Sequence, residues 1–180
     1  MFFYLFTISI NTILIIFTNY FFYPPAKNEF SLIIFALLII GLVILEIIID
    51  GIFATIVRWI LPKKFFSEEK TLYKASKKEM RFYEKLGIKK WKDKVLELGA
   101  VTGFRKNKLN SDLSVEYLKR FIIESNYGII VHVCCIVFGF SIMLFSLIIP
   151  VFWATLHISL VNLFLNILPI FILRYNLPKL

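Results

Sequence analysis

Four stretches of the chain run almost without charge for about 20 residues, the length an α-helix needs to cross a hydrocarbon core roughly 30 Å thick. They predict an all-α integral membrane protein of about four transmembrane helices, at 2–23, 30–50, 129–149 and 151–173, forming one membrane domain over 1–180. Proline marks their ends, because it lacks an N–H and restricts the residue before it. Pro24 and Pro25 predict a turn after the first helix, and Pro150 a sharp turn between the third and fourth. The second helix passes Glu46, Asp50 and Gly51 before Pro62 stops it, so Ile52 to Leu61 reads as an interfacial extension.

Between the second and third stretches the pattern inverts, and residues 62–128 read as a water-facing segment. Ser67 to Leu86 is charged with sparse apolar positions, which predicts a helix on the headgroups, ended by Gly87. Ile88 to Leu98 places Ile88, Trp91, Val95 and Leu98 at the spacing of a short amphipathic helix. After a loop of Gly, Asn and Lys, Ser114 is a candidate cap for a helix through Tyr127, with Gly128 at the joint to the third span.

Composition agrees: 59% hydrophobic residues, 20 phenylalanines and a mean hydropathy of +0.79 are too apolar for a soluble surface. The window from Pro62 to Asn126 holds 17 of the 21 Lys and Arg but 9 of the 12 Asp and Glu, which is most of the net +9. Lys27 alone stands beside the membrane on the opposite face, so the basic segment is expected in the cytoplasm of a cell-membrane protein, with both termini on the same side. The absence of Lys or Arg before Lys27, and of a small-x-small cleavage site, favours a retained helix over a secretory signal. Cys134 and Cys135 are adjacent and project to different helix faces, which excludes an ordinary disulfide and reads them as packing thiols. Nothing in the pattern points to nucleic acid, to metal ligands or to a tightly bound cofactor.

Ionisable groups inside a membrane span are costly and therefore functional candidates. Glu46 and Asp50 share a helix face four residues apart and either line a site or pair with basic residues at the interface. His132 is either a proton-transfer group or an interhelical hydrogen-bonder, and His157 reads as the latter. Arg174 and Tyr175 either serve a site or anchor the fourth helix at the headgroups, and Asn162 and Asn166 extend a polar line along it. Lys89, Lys90, Lys92 and Lys94 form a face that attracts phosphate or simply faces water.

Three of these features occur in register. The run RFYEKLGIKKWKDKVLELG with its Trp91, Lys92, Asp93, Lys94 centre, the eight-residue interval from Glu124 to His132, and Asn166 followed by RYNLPKL resemble the glycosyl-4,4'-diaponeurosporenoate acyltransferase family over roughly Ile49 to Leu180. The resemblance implies transfer of a fatty acyl group from a cytoplasmic donor, acyl-CoA, to a hydroxyl of a membrane glycolipid such as a glycosylated carotenoid. Such a transfer needs a base, for which His132 is best suited by an ordinary pKa near neutral, with Glu124 in its motif, Arg174 and Asn176 for oxyanion or phosphate contacts, and Lys90, Trp91, Lys92, Asp93, Tyr175 and Asn166 on the substrate side, joined by the intramembrane acids Glu46 and Asp50. Glu124 stands about 12 Å from His132 along an unbroken helix, so orienting His132 directly would require a break at Gly128. The sequence departs from the family where Leu177 replaces a second basic residue, and neither histidine has the Asp of an HxxxxD acyltransferase signature. A non-enzymatic membrane protein binding lipid or a partner through the basic loop, and another lipid-modifying transferase, remain the alternatives. Oligomeric state and acyl chain preference stay open.

Overall fold

The computed structural model describes residues 2–67, 73–95 and 114–179, and all regular structure among them is helical. The elements are α1 (Phe2–Phe22), α2 (Pro24–Glu29), α3 (Leu32–Ile60), α4 (Lys77–Lys85), α5 (Ile88–Trp91), α6 (Val115–Gly139) and α7 (Phe152–Asn176), with short 3-10 stretches between some of them. Four spans are long and apolar enough to cross a bilayer, as the hydropathy pattern predicts: Leu5–Phe22, Leu32–Ile60, Val115–Leu147 and Phe152–Lys179. Their outward faces carry bare apolar side chains, with Ile33 73% and Leu147 82% exposed, a surface that lipid and not water stabilises. The molecule is a membrane protein.

Proline and glycine act where the sequence places them, though not always as expected. Tyr23 is extended, but Pro24 and Pro25 then open the short helix α2 and do not form a turn. The first helical positions need no N–H and their φ suits proline, so the pair starts a helix as readily as it stops one. Pro62 is extended after α3 ends at Ile60. Gly87 adopts φ +64°, a left-handed conformation that suits glycine, and separates α4 from α5. Gly128, in contrast, is passed without interruption by α6, so the expected joint is absent.

Among the described residues of the basic segment, the helix expected from Ser67 to Leu86 appears as α4, which begins after Ser76, with a 3-10 turn at Lys63–Phe66 ahead of it. Ser76 accepts from the Glu79 N–H while the Glu79 side chain accepts from the Ser76 N–H, a capping box that fixes the start. The described part of the helix expected from Ile88 is α5 followed by a 3-10 turn at Lys92–Lys94. Residues 68–72 of the first expectation, 96–98 of the second and the predicted loop after them lie outside the described residues.

The chain divides into two compact units. One comprises Met1–Phe53 and Cys134–Leu165. Its core joins Ile15, Phe35, Ile39, Leu42, Ile142 and Ile158. The last part of its third span, Phe140–Leu147, is a 3-10 helix of eight residues following α6, longer than the three or four usual for that conformation. The other unit comprises Ala54–Val133 and Asn166–Leu180. Here Tyr83 and Ile88 of the basic segment pack on Ile172 and Tyr175 of α7, with Trp91 and Phe171 at the edge. The basic helix α4 is thus bound to protein and does not lie only on headgroups, because Tyr83 buries its apolar ring against α7.

Candidate active site

Within the second unit, α6 presents His132 to α7, where Nδ1 lies 2.8 Å from the Asn166 carbonyl oxygen. A carbonyl only accepts, so Nδ1 carries the proton and, in the neutral ring, Nε2 holds the lone pair. Asn166 is buried and His132 half-buried, which fixes the tautomer away from bulk water. A histidine so oriented can take a proton from a substrate through Nε2.

Glu124 does not serve this histidine. With α6 unbroken at Gly128, its carboxylate meets Arg58 of α3 at 2.8 Å, and the Arg58 guanidinium also lies 4.3 Å from the centre of the Tyr127 ring. Tyr127 donates to the Ala54 carbonyl at 2.5 Å, and Asn126 to the Phe66 carbonyl at 2.9 Å. These contacts tie α6 to the end of α3 and the turn after it.

Arg174 stands eight residues beyond Asn166, about 12 Å along α7. Its guanidinium forks onto Glu79, with Nε on one carboxylate oxygen and Nη2 on the other at 2.9 Å. The Tyr83 hydroxyl donates to the same carboxylate at 2.5 Å. The guanidinium holds the Glu79 carboxyl down to about 2, against the opposing effect of burial, while burial and the Glu79 charge push the Tyr83 hydroxyl up. Sequence reasoning names Arg174 but not Glu79, although Ser-x-x-Glu at 76–79 is a readable helix-start signal.

The remaining candidates gather at this end of α7. Trp91 donates from Nε1 to the Leu86 carbonyl at 3.1 Å, which holds the turn at Gly87 closed and carries Lys89, Lys90, Lys92 and Asp93 on its outer side. Tyr175 is fully buried, its hydroxyl has no hydrogen-bond partner among the described residues, and Lys179 lies over its ring. Asn176, the last residue of α7, is half-buried.

Glu46 and Asp50 belong to the first unit and face a pocket there. Neither carboxylate oxygen of Glu46 has a hydrogen-bond partner among the described residues, and Asp50 accepts from the Asn162 amide at 3.4 Å. The expected pairing with a basic residue is not what satisfies Glu46 among the described residues. In the same unit His157 takes a structural role, its Nδ1 accepting from the Asn19 amide at 3.1 Å, and Cys134 and Cys135 are free thiols, as the sequence predicts.

No curated protein and no solved structure matches the chain. The family of glycosyl-4,4'-diaponeurosporenoate acyltransferases matches residues 62–180. The match therefore starts later than the resemblance read from the sequence, and it takes in His132, Asn166, Arg174 and the lysine face but leaves out Glu46 and Asp50. Extending over most of the chain, it establishes that the protein is an acyltransferase belonging to the glycosyl-4,4'-diaponeurosporenoate acyltransferase family.

Proposed function

We propose that this enzyme moves a fatty acyl group from cytoplasmic acyl-CoA to a hydroxyl of a glycosylated carotenoid or a similar membrane glycolipid, with the basic segment on the cytoplasmic side. The observation that carries the reading is the His132 to Asn166 hydrogen bond, which leaves Nε2 as a base inside a membrane span. The acceptor hydroxyl gives its proton to Nε2 as its oxygen attacks the thioester carbonyl. The tetrahedral oxyanion then collapses, the C–S bond breaks, and the departing thiolate recovers the proton from His132.

Other residues take supporting roles in this proposal. Lys89, Lys90, Lys92 and Lys94 draw the polyanionic donor toward the end of α7. Arg174, held in place by Glu79, and Asn176 stand at the end of α7, where they meet the donor phosphates or the oxyanion. A lipid acceptor arrives through the bilayer, so its hydroxyl and the thioester meet at the interface.

Purified protein in detergent, supplied with labelled acyl-CoA and a glycosylated carotenoid or a total glycolipid extract, tests this. His132→Asn is expected to lower label transfer by roughly 10²- to 10⁴-fold. Transfer unchanged by that substitution removes His132 from the chemistry, and absence of transfer from acyl-CoA while another activated acyl donor works overturns the donor.

A further inference from the structure

The cations of α4 have no part in the acyl transfer described above. The helix starts at its capping box and ends at Lys85, and Leu86 continues it in helical conformation. With about 3.6 residues per turn, its side chains sort into adjoining strips. Glu79 and Tyr83 face α7, where Glu79 meets Arg174 and the Tyr83 ring lies 5.3 Å from that of Phe171. Next around the helix come Phe82 and Leu86, one turn apart, and beyond them Lys78, Lys85, Arg81 and Lys77.

The middle strip does not suit a surface that meets only water. Phe82 is 48% and Leu86 44% exposed, although Phe82 also touches the Phe171 ring, with centres 5.9 Å apart. Leu86 is held in place because its carbonyl accepts from the Trp91 indole. Phe171 belongs to a membrane span, and Arg174 and Lys179 set the end of that span at headgroup depth, since charges inside hydrocarbon are costly. The Phe82–Leu86 edge therefore extends the apolar surface of α7 sideways along the membrane boundary.

The outer strip supplies the matching charge. Lys77, Lys78, Arg81 and Lys85 are exposed and make no ion pair among the described residues, and Glu84 is the one exposed acid of α4. A lipid with a negative headgroup answers both strips at once, its phosphate accepting from the cations while its upper acyl chain covers the apolar edge. A zwitterionic lipid brings its own ammonium up to the lysines. An acidic soluble protein meets the charges but leaves the apolar edge uncovered.

We propose that α4 binds anionic phospholipid of the surrounding bilayer, with Lys77, Lys78, Arg81 and Lys85 on the headgroup and Phe82 and Leu86 in the adjoining acyl region. This surface lies before Gly87, and its occupation does not depend on any donor drawn by Lys89 to Lys94.

The test uses the whole protein in phosphatidylcholine vesicles carrying a trace of spin-labelled phosphatidylglycerol or spin-labelled phosphatidylcholine. Electron paramagnetic resonance reads the fraction of each label that the protein immobilises. Phosphatidylglycerol is expected to associate about two- to fivefold more strongly, averaged over the lipids around the chain. That preference should shrink as ionic strength rises from about 0.05 to 0.5 M. Lys77→Gln, Lys78→Gln, Arg81→Gln and Lys85→Gln together should remove most of it, and exchanging the same four residues between Lys and Arg should keep it. Equal association of the two labels with the wild type at low salt overturns the proposal without recourse to any variant. So does a preference that survives the four α4 glutamines but is lost when Lys89, Lys90, Lys92 and Lys94 become glutamine, which assigns it to the donor face. Displacement of the phosphatidylglycerol label by polyglutamate at matched ionic strength also overturns it, in favour of an acidic protein partner.

Discussion

The two units handle charge in opposite ways. In the unit of Ala54–Val133 and Asn166–Leu180, Glu79 and Glu124 each meet an arginine from a distant part of the chain, at Arg174 and Arg58. In the unit of Met1–Phe53 and Cys134–Leu165, Glu46 is more deeply buried than either and has no such partner. A carboxylate answered by arginine stays charged and holds segments in place, while one buried without a counter-charge is more cheaply kept as the neutral acid. The contrast separates carboxylates that tie distant segments together from one that is buried without an arginine.

The largest effect that probes this division is at Asn166. If it positions His132 for acyl transfer, Asn166→Ala should lower kcat roughly tenfold to a hundredfold with KM nearly unchanged, and Asn166→Asp, which keeps an acceptor, should recover part of the loss. Steady-state kinetics with labelled acyl-CoA decides it, and a change in KM alone breaks the assignment.

Next is Gly139, which belongs to the other unit. A Cβ there would run into the Asn162 amide and the Glu46 carboxyl, so Gly139→Ala should cost about 1–3 kcal/mol in stability while sparing the chemistry of bound substrates. Thermal melting and label transfer measure the two.

A smaller effect of about 1–2 kcal/mol is expected for Glu79→Gln, which removes the carboxylate under Arg174. Because Glu79 titrates at about 2 in the folded chain against 4.5 normally, its contribution is complete above about pH 4.5 and is lost as the pH falls toward 2. Wild type and variant should therefore differ in stability at pH 7, differ less at pH 3 and converge only near pH 2, as read by tryptophan fluorescence during denaturation. The smallest effect, under about 1 kcal/mol, belongs to Arg58→Ala, since the Arg58 side chain is 57% exposed and solvent screens its pair with Glu124. A loss of activity as large as that of Asn166→Ala would instead place Glu124 near the reacting groups.

Local signals in the sequence account for much of the fold. Uninterrupted apolar runs, Pro62, Pro150 and the positive φ of Gly87 depend on neighbours within a few residues, and the helices respect them. The shorter α4 was also readable, from Ser-x-x-Glu at 76–79, but the even spread of charge from Ser67 onward hides it. Partnerships across the chain were not readable. Arg174 finds Glu79 across 95 residues and Arg58 finds Glu124 across 66, and no spacing rule reaches that far. His132 stood out by residue type and motif, whereas the direction of its proton follows only from the placement of Asn166. The acidic pair on α3 was visible, but the approach of Asn162 and Gly139 to it was not.

The 3-10 stretch Phe140–Leu147 changes the reach of the third span. Because that helix rises about 2.0 Å per residue against 1.5 Å in an α-helix, its eight residues extend about 16 Å instead of about 12 Å. The segment is also narrower, so it fills a thicker leaflet with a thinner rod. Rewinding it by one turn toward α-helical geometry would shorten the span by 1–2 Å, a length change that a bilayer of different thickness could itself favour or oppose.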